Sequence, residues 1–184
     1  MKVNSVVIFC VGVAAGAALA VFHLRARRAT SEGPITHVEN GFEFTAHGPY
    51  KSVAPLFGAL AERDWADGHW NPQFFYPQPA RDIEGEVFTI AHSHLQSTWV
   101  NTAFDLKAGH IQYVYVIPET QAVRIDIHVK EEDASNTSVR VVYERTALHA
   151  RFNQHVNELG VKDRNSAAEW QTSIDALLRL SPAR

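Results

Sequence analysis

Apolar and polar positions divide the chain into an uninterrupted apolar run, a polar spacer and a long region whose period changes from two to between three and four. From Val3 to Leu24 there is no Asp, Glu, Lys or Arg, and as a helix this run would reach about 33 Å, close to the hydrocarbon thickness of a bilayer. Residues 29–40 are polar, with Gly33 and Pro34 and no apolar period, which predicts a linker. Alternation then begins at Gly41 and runs to His47, the pattern of a strand with one buried face. Behind Pro49, the spacing of Val53, Leu56, Phe57, Leu60 and Ala61 predicts a short helix with one inward stripe.

Residues Asp64–Pro79 carry Trp65, Trp70, Phe74, Phe75, Tyr76 and three prolines. That is too rich in proline for a regular element and too aromatic for a bare loop, so the segment should pack over the core or form the mouth of a pocket. Five strand-like runs follow, at Glu86–His92, Thr98–Asp105, Ile111–Ile117, Ala122–Val129 and Thr137–Tyr143. Their connections are too short for crossover helices, which predicts an antiparallel meander. Val123, Ile125, Ile127 and Val129 alternate with Arg124, Asp126 and His128, so the second set should face water. From Leu148 the period is helical, through Phe152, Val156 and Leu159 and on through Trp170, Ile174, Leu177 and Leu178. The residues fit one long helix or two pieces broken at Gly160–Arg164, with Asp163–Asn165 as the second cap.

These elements predict an α+β fold, a curved antiparallel sheet of six or seven strands around a long C-terminal helix, behind an N-terminal transmembrane or signal helix. The expected organisation is a membrane-inserting segment at residues 1–28, a linker at 29–40 and one domain at 41–184. A helix crossing a twisted sheet touches it incompletely, which leaves room between the two.

Two readings of the leader stand. Lys2 and the small-x-small string Ala18-Leu19-Ala20 fit a cleaved export signal. The apolar run nevertheless continues through Val21 and Phe22, and Arg25, Arg27 and Arg28 follow at once, which favours an uncleaved single-pass anchor. Three arginines outweigh Lys2 and the amino terminus, so the positive-inside tendency places the domain on the cytoplasmic side.

Composition removes several classes. A net charge of −3 with interspersed signs offers no basic stripe for a nucleic acid. The single cysteine, Cys10, lies in the apolar run, so the domain has no disulfide and no thiolate metal site. There is no nucleophile elbow, phosphate-cradling glycine loop or dinucleotide fingerprint. Asn136-Thr137-Ser138 has the form of a glycosylation acceptor but reads most simply as a turn.

Several local strings carry a family resemblance: Glu62-Arg63-Asp64-Trp65, Gly68-His69-Trp70-Asn71-Pro72, Gly85-Glu86-Val87-Phe88-Thr89, Ser97-Thr98-Trp99-Val100 with Asp105, and Tyr143-Glu144-Arg145-Thr146-Ala147. In this order the chain from Gly41 to Leu180 resembles the START-related SRPBCC superfamily, the helix-grip domains that include polyketide cyclases and birch-pollen-allergen-like proteins. The resemblance implies a cavity between sheet and helix for a hydrophobic or amphipathic small molecule such as a lipid, sterol or polyketide. Expected lining residues are Trp70, Phe74, Trp99, Tyr113, Tyr115, Phe152 and Val156. Two rivals are a cyclase or dehydratase working in the same cavity and an interaction module whose cavity has collapsed.

An enzyme of this kind would need an acid or base aimed inward, for which Tyr113, Tyr115, Asp105, Tyr143 and His155 are candidates. Each also reads as an ordinary structural residue, and no catalytic residue, cofactor or metal is assigned from the sequence. His92 and His94 could share a strand face but have no third ligand at a telling spacing, and His110 and His128 could approach across neighbouring strands, an approach that spacing alone does not establish.

Overall fold

The computed structural model describes residues 33–66 and 68–180, so the expected membrane segment lies outside the described residues. Among those residues no helix is long and apolar enough to cross a membrane. The region from Ile35 onward is one compact unit. Its strands are β1 (His37–Ala46), β2 (Gln73–Tyr76), β3 (Val87–His92), β4 (Leu95–Asp105), β5 (His110–Ile117), β6 (Gln121–Glu131) and β7 (Thr137–Ala147). They form one seven-stranded sheet in the order β1-β7-β6-β5-β4-β3-β2, and every neighbouring pair is antiparallel.

Alternation explains which side of the sheet is covered. Val123, Ile125, Ile127 and Val129 of β6 are buried, as are Ile111, Tyr113, Tyr115 and Ile117 of β5, while Arg124 and His128 are exposed. The expected strand at Gly41 starts earlier, at His37, and takes four residues from the expected linker. Only Val38 among those four is apolar, so no period marks them; they pair with Tyr143–Thr146 of β7 instead. In β4 the register slips between Asn101 and Ala103, a bulge at Thr102. Asn101 and Phe104 consequently share the inner face, opposite Tyr113 and Ile111.

The helix expected after Pro49 is a single turn, α1 (Tyr50–Val53), followed by 3₁₀ turns at Ala54–Phe57 and Ala61–Asp64. Tertiary donors take the carbonyls that a longer helix would use. Trp65 Nε1 donates to the Leu56 carbonyl at 2.7 Å, the Tyr113 hydroxyl to that of Phe57 at 2.8 Å, and Trp70 Nε1 to that of Ala59 at 2.9 Å. The apolar stripe is still satisfied, with Val53 and Phe57 fully buried.

The C-terminal helical region is two helices, α2 (Asn153–Arg164) and α3 (Ala167–Leu180), separated at Asn165–Ser166. Gly160 is not the break. It lies inside α2 where a Cβ would sit 2.6 Å from Asn40 Nδ2 and 3.2 Å from Val38 Cγ2, so it permits close approach to β1. Helix α3 packs on the inner face through buried Ile174 and through Trp170, whose ring meets Phe42 edge-on at 5.2 Å and Trp65 at 5.1 Å. Two polar latches fix it: the buried Asp175 carboxylate accepts the His47 N–H at 2.9 Å and pairs with His47 Nδ1 at 2.6 Å, and Gln171 Nε2 donates to the Thr45 carbonyl at 2.9 Å.

Candidate functional site

The sheet, the aromatic connection and α3 leave a cavity of about 340 Å³ between them. The sheet contributes Ile90, Trp99, Tyr113, Tyr115, Ile125 and Ile127, and the connection contributes Trp65 and Trp70. Two aromatic clusters frame it. In one, Trp65, Phe57 and Phe42 surround Trp170; in the other, Trp99 stacks on Tyr115 at 4.0 Å and on Phe88 at 5.6 Å and meets Trp70 at 5.4 Å. Exposed His69, His92 and Glu169 also line it and mark its mouth.

Of the lining residues expected from sequence, Trp70, Trp99, Tyr113 and Tyr115 meet at this cavity. The other three do not line it. Phe74 of edge strand β2 packs 5.4 Å from Phe88, with the Arg63 guanidinium over its ring. Phe152 lies under Arg151 at the start of α2, and Val156 is buried where α2 covers β1 and β7. The helix that faces the cavity is α3, because the break at Asn165–Ser166 divides the expected long helix and leaves α2 on another part of the sheet.

Polar groups inside the cavity are few and differently placed. Arg145 is buried and held by Asp163, its Nε and Nη2 donating to the two carboxylate oxygens at 2.6 and 2.8 Å while Nη1 donates to the Tyr115 hydroxyl at 2.8 Å. Burial works against the Arg145 cation, yet Asp163 and Tyr115 together hold its pKa above the ordinary value. Burial raises the pKa of Tyr115 and Tyr143, so both remain phenols at neutral pH. Tyr143 and Glu62, a phenol and a carboxylic acid, also line the cavity. Glu62 is only 6% exposed, and burial first, then the fields of Asp82 and Glu86, push its pKa well above the carboxylate range.

Behind Glu62 lies a second buried acid. Glu86 accepts one bond from Asn101 Nδ2 at 3.1 Å, and its other oxygen and Asn101 Oδ1 lack partners. Asp82 accepts the Leu60 and Ala61 N–H groups at 2.6 and 3.2 Å and so ties down the turn that carries Glu62.

The other candidate acids and bases lie elsewhere. Asp105 caps the β4–β5 turn through the N–H groups of Lys107 and Ala108, and His155 is exposed on α2. Sequence reasoning missed Glu62, Arg145 and Glu86. A signal was present: the strings that carry the family resemblance contain all three, along with Trp65, Trp70, Trp99 and Tyr143. They read as packing and turn residues because no spacing rule brings positions 62, 86 and 145 together; only the folded domain does.

No protein-family model matches the sequence, and no curated protein matches it. Solved structures do match in shape. Norcoclaurine synthase from Thalictrum flavum, in complex with dopamine and hydroxybenzaldehyde, superposes with a TM-score of 0.59 at 11% identity over 82% of this chain and 91% of its own. The ZhuI aromatase/cyclase from a Streptomyces species gives 0.55 at 12% identity, covering 82% and 97%. The XoxI protein from Bacillus cereus gives 0.56 at 17% identity, covering 80% and 99%. The seven-stranded antiparallel sheet with its C-terminal helices, shared with these structures, is the helix-grip fold, and this chain has it.

Proposed function

We propose that the domain binds one compact hydrophobic or amphipathic small molecule, of the sterol or polyketide kind, in the cavity between sheet and α3. The observation that carries this is a largely apolar, aromatic-rich cavity whose lining also includes the polar side chains of Glu62, Tyr143 and Arg145. A ligand with one hydrogen-bonding group can bond to one of these while its apolar body covers the rings. A volume near 340 Å³ is at the lower end for small-molecule sites, which favours a ring system over a two-chain lipid. The same volume speaks against the collapsed interaction module. Residues 3–24 would hold the domain at a membrane, on the cytoplasmic side.

The test is mass spectrometry of the organic extract from full-length protein purified in mild detergent. One recurrent compound near one per chain is expected, lost when Ile127→Trp fills the cavity. Nothing in repeated preparations, together with no saturable uptake of anilinonaphthalene sulfonate, would overturn the reading.

A second reading rests on Glu62 alone. A carboxyl at a cavity wall whose pKa is raised by burial is the kind of group that can donate a proton, the requirement for a cyclase or dehydratase. Glu62→Gln separates the two: binding without turnover in the variant supports catalysis, whereas wild-type protein that returns the extracted compound unchanged opposes it.

A further inference from the structure

The outer face of the sheet, opposite the cavity, gathers three metal-ligating side chains. His110 of β5 and His128 of β6 are direct register partners, and Asp126 lies two residues before His128 on the same face. The imidazoles lie parallel, 5.0 Å between centroids and 10° between planes. Asp126 Oδ1 is 2.7 Å from His110 Nε2 and 3.4 Å from His128 Nε2. Each residue offers a ligand atom within 4.8 Å of the other two. The second carboxylate oxygen, Oδ2, accepts from Gln112 Nε2 at 3.1 Å, so an amide fixes the carboxylate with Oδ1 toward both rings.

We propose that His110, Asp126 and His128 form a binding site for one divalent transition-metal ion of the zinc class. Two imidazole nitrogens and one carboxylate oxygen are borderline donors; calcium and magnesium require more oxygens than this face supplies. With bonds of about 2.0–2.2 Å, tetrahedral donors stand about 3.3–3.6 Å apart; the Asp126–His128 distance of 3.4 Å falls in that range, and His110, at 2.7 Å, would move outward by less than about 1 Å on binding. The three side chains are 33, 22 and 54% exposed, so solvent reaches the cluster and can supply a fourth ligand. An ion here would clamp β5 to β6 across their outer face. A histidine–carboxylate bond on the surface needs only one imidazole; two register-paired imidazoles on one oriented oxygen form a chelate.

The experiment uses the full chain in detergent, free of any histidine tag and stripped with chelator, titrated with zinc chloride in a calorimeter. One equivalent should bind at micromolar affinity or tighter, and His110→Ala, Asp126→Asn and His128→Ala should each weaken it about ten-fold or more. His155→Ala, on exposed α2, should change nothing. His128→Gln and circular dichroism of every variant distinguish loss of a ligand from loss of fold. Absence of a one-equivalent event, affinity unaltered by all three ligand variants, or magnesium binding as tightly as zinc would each overturn the proposal.

Discussion

Glu86 has no solvent contact, and one of its carboxyl oxygens lacks a partner, so its charge is poorly supported. Burial, reinforced by Asp82, moves its pKa from 4.5 up to about 7. Between those values the folded chain keeps a proton that the unfolded chain has released, so stability declines as the pH rises through this window and stays lower above it. The span corresponds to about 3 kcal/mol at most. Glu86→Gln removes the titration, and in denaturant unfolding at a series of pH values the variant should gain on wild type from about pH 5 to about pH 8. A difference independent of pH would show that Glu86 ionises normally. Arg145 and Asp163 present the opposite case, two charges that support each other out of water. Asp163→Ala strands the guanidinium and should cost about 3 kcal/mol or more, seen as a lower thermal midpoint. The double variant Arg145→Met, Asp163→Leu should recover part of that loss, because no bare charge remains.

Among the elements, α3 closes the cavity and is held by few polar contacts at its edge. Asp175→Ala removes the acceptor for both the backbone and the ring of His47 and should cost about 1–3 kcal/mol. Hydrogen exchange should quicken first in α3 and at residues 45–48; a uniform change along the sheet would contradict the latch. Strands β5 to β7 were legible because each buries one face, and the period of two survives in the side chains, whereas β3, with Phe88, Thr89 and Ile90 all buried, was legible as a short apolar run between breaks. The start of β1 was not, since edge pairing with β7 uses backbone groups that leave no mark in the side-chain pattern. Residues 50–64 carry a helical stripe yet become turns, because the indoles and a phenol that capture their carbonyls come from elsewhere in the chain or fold. Gly160 gave a break signal that belonged to packing, and the true interruption fell a few residues later.

For the whole molecule, the aromatic half of the cavity was legible from composition and family likeness, and the polar half was not. Trp70, Trp99, Tyr113 and Tyr115 announce themselves as large side chains on strands or beside them. Glu62 and Arg145 are the residue types expected on a surface, and only the packing of the folded domain buries them. Tethering of this domain has a direct test in sealed vesicles with a protease outside. If the cytoplasmic face is enclosed, the domain should be protected until detergent is added; cleavage before that would refute the arginine argument. The bulge at Thr102 has a consequence of its own. A strand counts its side chains alternately to the two sides, and one supernumerary residue resets the count halfway along β4. Losing it would send Phe104 outward or Asn101 away from Glu86, so length there is under stricter constraint than in the hairpin tips, where a residue more or less changes no later assignment of inside and outside.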